Sequence, residues 1–193
     1  MSRITPLEPT EGGLFARFSM RQAARRLGRS PRPFGVTARH SQILAGNIAF
    51  ELALERSKAL DVTVRELVQV KAASVAGCEY CLDIGSWNAR THGVSEAQLR
   101  DLHRHADSPH FSAAERAALD YADAMTRTPV RVPDDVFAAL REHFDDRQLV
   151  ELTGAIAWEN YRARFNAAFD IPPDGFSEGG ACALPAPEVA AAA

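Results

Sequence analysis

No stretch of this 193-residue chain alternates apolar and polar residues with a period of two over a convincing length, whereas helix-start spacings recur along it. Thr63/Glu66, Ser95/Gln98 and Ser112/Glu115 each stand in the S/T-x-x-E/Q arrangement, in which two side chains satisfy each other's free backbone N–H groups at a helix start. A sheet has no strands to draw on here, and an all-α fold of about seven or eight helices is the expectation.

Punctuation places them. Leu14, Phe15, Phe18 and Leu27 alternate with Arg17, Arg21, Arg25 and Arg26 in a short basic amphipathic helix, which docks on the core or on a neighbouring subunit. Pro31 and Pro33 end that segment, and an apolar helix runs over 42–60. A second starts at Thr63, with Glu66 as the reciprocal cap, and stops at Gly77; a third starts at Cys78, continues to about Thr91 and is closed by Gly93. Further helices open at Ser95 and at Ser112. Pro133-Asp134 precedes a shorter one to His143, and Asp145-Asp146 caps a long one over 148–169.

The chain divides into an N-terminal arm and basic helix (1–39), a helical domain (40–170) and a Pro/Gly-rich C-terminal arm (171–193). That arm carries Pro172-Pro173, Gly179-Gly180, Pro185 and Pro187, ends in four alanines, and reads as extended or disordered.

A chain of this length with 46% apolar content buries enough surface to fold without disulfide staples, which frees its three cysteines for chemistry. No run approaches the roughly 18 apolar residues of a membrane span, and the N-terminus lacks an export signal, so a reducing cytoplasm is expected. Residues 1–40 hold eight Arg and two Glu, and the rest carries fourteen Lys/Arg against twenty-three Asp/Glu. An acidic core of this kind argues against nucleic-acid binding.

Cys78 and Cys81, three apart after Gly77, put two sulfurs on one face of a helix, close enough for a disulfide. At a helix N-terminus, free N–H groups and the positive dipole end favour thiolate over thiol. Zinc needs four ligands, and beyond Cys78 and Cys81 the chain has only the distant Cys182 and scattered histidines such as His92 and His103. No metal and no cofactor is therefore expected. Two readings of Glu66 stand open: the cap of Thr63, or a carboxyl held among Leu67, Val68 and Val70 as a proton acceptor for a thiol.

The run from Glu66-Leu67-Val68 through Gly77-Cys78-Glu79-Tyr80-Cys81-Leu82-Asp83 to Gly93-Val94-Ser95-Glu96 resembles the alkylhydroperoxidase D-like, carboxymuconolactone decarboxylase superfamily, over about residues 40–170. The resemblance implies an all-helical fold assembled as a trimer or hexamer. It also implies Glu66 as proton relay, Cys81 as the cysteine that attacks peroxide and Cys78 as the resolving one. Arg162, Arg164 and Asn166 are similar to the family's C-terminal helix. Where the family carries a histidine four residues after the second cysteine, this chain has Gly85, and His92 lies about three turns beyond Cys81 on the same helix.

The function implied is thiol-dependent reduction of a hydroperoxide substrate, with an external dithiol or lipoyl-type carrier as electron donor. The alternatives are a carboxymuconolactone-type decarboxylase and a non-catalytic redox sensor or oligomeric scaffold.

Overall fold

Helix α4 (Val62–Ala76) runs through the middle of the protein, with Val64 to Val70 and Lys71 to Ser74 almost all buried. A helix covered on every side cannot be strongly amphipathic, and α4 accordingly carries apolar and charged residues around its whole circumference. It packs against α5 (Glu79–Thr91), α7 (Ala113–Thr126) and α9 (Asp146–Ala168). Leu67, Val70 and Ala73 face one apolar cluster, with Cys78, Cys81, Leu82 and Ala163. Val64, Val68 and Ala72 face another, with Tyr121, Leu152 and Ile156.

The structure is a computed structural model that describes residues 2–186; Pro187 and the four closing alanines lie outside the described residues. Among the described residues it is all-helical, with α1 (Leu14–Leu27), α2 (Arg32–Thr37), α3 (Ser41–Arg56), α6 (Glu96–Asp101) and α8 (Asp134–Arg141) completing nine α-helices beside a 3-10 turn at Leu102–Arg104. Among the described residues no helix is long and apolar enough to cross a membrane.

Most helix starts read from sequence are present. Ser95/Gln98, Ser112/Glu115 and Asp145/Gln148 form complete capping boxes. Thr63/Glu66 does not. Asp61 caps α4 instead, its Oδ1 accepting the Thr63 N–H at 2.8 Å and the Thr63 hydroxyl at 2.7 Å. These bonds hold its carboxyl below the usual range, the Thr63 hydroxyl contributing most. Because α4 begins two residues earlier than a Thr63 cap requires, Glu66 falls in the second turn and points inward. Pro31 and Pro33 likewise open a helix, α2, where they read as a stop, because proline fits the N-terminal turn, whose N–H groups have no partner.

Helix α1 is docked differently from its sequence pattern. Ala16 and Met20 pack on Leu44 and Ala38, while Leu14 and Phe18, 84% and 64% exposed, face outward.

Over residues 171–186 the C-terminal arm runs back along α5. The Asp83 carboxylate collects four of its backbone N–H groups. Oδ2 accepts from Asp174, Gly175 and Phe176 at 2.7–3.0 Å, and Oδ1 from Ser177 at 2.7 Å. Farther along, the Ala183 N–H donates to Ser86 Oγ and the Ala186 N–H to the Ser74 carbonyl. Ile171, Phe176 and Ala183 thereby join the cluster that contains the two cysteines.

Asp83→Ala should release this arm. Hydrogen bonds to a charged acceptor contribute about 1.5–3 kcal/mol each and are not additive, so a loss of about 3–5 kcal/mol is expected from urea unfolding. Amide exchange at residues 174–177 should accelerate in parallel; an unchanged midpoint with unchanged exchange would exclude Asp83 as the latch.

Candidate active site

Gly77 closes α4 in the left-handed conformation (φ +68°), where a side chain would be strained, and so reverses the chain within one residue. Cys78 then stands as the N-cap of α5, its sulfur accepting the Cys81 N–H at 3.2 Å. Cys78 and Cys81 have Cα atoms 5.2 Å apart and are joined as a disulfide. Both are buried, 7% and 5% exposed, so access alone does not distinguish them. From α9, the buried Asn166 directs its side-chain amide at both sulfurs, 3.4 Å from Cys81 Sγ and 3.7 Å from Cys78 Sγ.

Glu66 is 4% exposed and is held from three directions. Asn88 Nδ2 donates to its Oε2 at 2.7 Å, while His92 Nδ1 and Arg65 Nη2 lie 3.3 and 3.7 Å from Oε1. His92, out of reach of Cys81 by its spacing, thus meets the candidate relay glutamate instead. Because α4 and α5 form an antiparallel hairpin about Gly77, Glu66 pairs with the far end of α5. Asn88 is seven residues beyond Cys81, about 10 Å along the helix axis.

Gly85 lies between these two ends. A Cβ built there would sit 3.3 Å from Val70 Cγ2, so a side chain at this position requires Val70 to move.

A second polar group continues the site on α9. Glu159, 4% exposed, accepts a hydrogen bond from Arg162 Nη2 through Oε2, and Arg162 Nη1 also donates to Glu51 at 2.8 Å. Burial pushes the Glu159 carboxyl up to about 7, with Arg162 opposing and Glu51 and Glu66 adding to the rise. Burial opposes the charge on Arg162, but Glu159 and Glu51 together hold its guanidinium firmly protonated. Arg164 turns away to Asn160. Cys182 is exposed on the arm.

Among the described residues no group of three or more His, Cys, Asp or Glu is arranged to hold a metal ion. Sequence patterning brought out Cys78, Cys81 and Glu66, passed over Asn88, and gave Glu159, in the mixed large and polar run 158–162, no role in the chemistry. Polar residues at buried positions of long helices were the one available signal for them.

Residues 42–124 match the model of the carboxymuconolactone decarboxylase family. The uncharacterized protein YnjA of Escherichia coli is 42% identical over 123 residues, which span 63% of this chain and 68% of YnjA. The chain belongs to the carboxymuconolactone decarboxylase family. Its fold is the family's alkylhydroperoxidase D-like one. An uncharacterized peroxidase-related protein with an alkylhydroperoxidase AhpD core, from Ralstonia eutropha, superposes with a TM-score of 0.81 at 21% identity, covering 91% of this chain and 94% of that one. A Cys-to-Ala variant of the debrominase Bmp8 in complex with 2,3,4-tribromopyrrole superposes with a TM-score of 0.82 at 21% identity, over 90% and 92% of the two chains. Enzymes of several kinds thus share this architecture.

Asn166→Leu should separate packing from chemistry at the sulfurs. A hydrogen bond to an ionised sulfur that contributes about 1.4 kcal/mol corresponds to a tenfold lower rate of thiol alkylation near neutral pH in the reduced variant. Alkylation by iodoacetamide at the wild-type rate would reduce Asn166 to a packing residue.

Proposed function

We propose that the protein is a thiol-dependent hydroperoxide reductase. The single observation that carries this reading is a buried Cys78/Cys81 pair at a helix N-terminus within bonding distance of each other, with a side-chain amide aimed at both sulfurs. Cys81 thiolate attacks the terminal peroxide oxygen, the O–O bond breaks, and the alkoxide leaves as an alcohol after taking a proton. The resulting sulfenic acid condenses with the Cys78 thiol, forming the disulfide and releasing water. Each turnover oxidises two thiols and reduces one peroxide. An external dithiol or a lipoyl-bearing carrier in a reducing cytoplasm returns the pair to thiols by exchange.

In this reading Glu66 takes the Cys81 proton and returns it to the leaving alkoxide. Its burial and its fixed hydrogen bonds suit that role. With Gly85 between them, the proton crosses through water rather than through a side chain of α5.

We also propose that the working form is a homo-oligomer, a trimer or hexamer. The outward-facing Leu14, Phe15 and Phe18 of α1 supply apolar surface for a second copy. Light scattering at micromolar concentration should return a multiple of 21.0 kDa; a monomer mass would remove this part.

Reduced protein mixed with one equivalent of an alkyl hydroperoxide should form the Cys78–Cys81 disulfide, read by mass spectrometry, and turn over with excess dithiol. Cys81→Ser should abolish peroxide consumption, whereas Cys78→Ser should still yield one sulfenic acid. The reverse pattern would exchange the two roles. Disulfide formation without turnover would identify a redox sensor. A brominated pyrrole of the kind bound to Bmp8 belongs in the same assay as a second substrate class.

A further inference from the structure

A cavity of about 460 Å³, a size that suits a small ligand, lies between the last turns of α4 and α7 and the C-terminal half of α9. Val75 and Ala76 of α4 and Ala163 and Ala167 of α9 give it apolar walls, and Arg127 and Arg164 its charged groups. Ala163 also belongs to the apolar cluster that holds Cys78 and Cys81. Asn166, whose amide reaches both sulfurs, stands between the two wall alanines on α9.

We propose that this cavity binds the carboxylate of a small amphiphilic acid through Arg164. In making that acid the substrate, a carboxylate-bearing hydroperoxide, the proposal rests on the hydroperoxide reading.

Arg164 is set in place without being neutralised. Its Nη1 donates to the Asn160 carbonyl at 3.3 Å and to Asn160 Oδ1 at 2.6 Å, and its Nη2 lies 3.5 Å from Thr128 Oγ1, also on the cavity wall. All three are neutral oxygens, so among the described residues its charge meets no carboxylate. Arg162, two residues earlier, is held by two. Asn160 is buried and fixed in turn, its Nδ2 donating to Thr126 Oγ1 at 2.9 Å and to the Ile156 carbonyl at 3.0 Å. A guanidinium carries five N–H donors, and one held this way keeps donors for a planar carboxylate at little cost in side-chain freedom.

The carbonyl ends of α4 and α7 oppose an anion here, with about half an elementary charge each. On α4 the Ala73 and Ser74 carbonyls already accept the N–H groups of Cys78, Gly77 and Ala186. The full charge of Arg164 outweighs what is left. An exposed ion pair by itself contributes little in water, so the alanine and valine walls must supply much of the affinity. Burying one methylene strengthens binding about fourfold. The ligand is therefore an acid with an apolar body, and a bare anion is a poor one.

Titration of the oxidised protein with hexanoate, followed by NMR, tests the cavity without any peroxide. Hexanoate should saturate, shift the methyl signals of Ala163 and Ala167, and bind at least about 10-fold tighter than either acetate or the uncharged hexanamide. Arg164→Gln should weaken hexanoate about 10-fold or more and leave hexanamide unchanged. Ala167→Leu keeps the charge and fills the space, and should weaken both. Hexanoate binding equal to that of hexanamide, or unaltered by both substitutions, would overturn the proposal.

Turnover tests the substrate assignment. A carboxylate-bearing alkyl hydroperoxide should show a KM several-fold below that of tert-butyl hydroperoxide, and Arg164→Gln should remove the difference with kcat unchanged. Turnover of both at one KM would overturn the assignment of the acid as substrate. Turnover of neither, with hexanoate binding intact, would count against the hydroperoxide reading alone.

Discussion

The site depends on keeping charged side chains inside a helix that is buried all round. Taking a carboxylate such as Glu66 out of water costs several kcal/mol unless partners replace its solvation. Asn88, His92 and Arg65 do so here. Arg65 must be satisfied as well, and it reaches the Leu54 carbonyl at 2.7 Å and Glu151. Lys71, also buried, pairs with Asp123 of α7 at 3.1 Å. Each requirement fixes another element against α4, so the polar network that holds Glu66 also sets how α3, α5, α7 and α9 surround it.

The α4–α5 hairpin converts that network into a site with two ends. Around Gly77 the chain reverses, so the cysteines occupy the near end of α5 while Asn88 and His92 meet Glu66 at the far end. Helix α9 lies alongside, with Glu159 and Asn166 on its buried side, and the arm latched by Asp83 covers α5 from outside. The apolar cluster that contains the sulfurs therefore includes residues as far along the chain as Ile171 and Ala183. Burial of this kind protects thiols from indiscriminate oxidation and leaves their reactivity to the few polar groups that reach them.

Several readings made on sequence spacing alone hold in detail. The three capping boxes at Ser95, Ser112 and Asp145 form because each depends only on residues within one turn, and Gly77 ends α4 for the same local reason. Thr63/Glu66 had the same spacing and failed, since Asp61 offered an equivalent cap two residues earlier and released Glu66 to the interior. The outward face of α1 was not legible either. Leu14, Phe15 and Phe18 looked like its packing side, but small Ala16 and flexible Met20 allow the closer approach to Leu44.

What the sequence determined by itself was therefore short-range: an all-helical chain, most helix ends, and two cysteines one turn apart at a helix start. Backbone capping and the 3.6-residue repeat act over a few positions and leave their marks in neighbouring letters. Only the tertiary structure decided that Glu66 meets Asn88 and His92, that Asn166 of a helix far along the chain reaches both sulfurs, and that the arm docks on Asp83. Those contacts join residues 22 to about 94 positions apart. They are chosen by which buried polar groups can satisfy one another once the helices have packed.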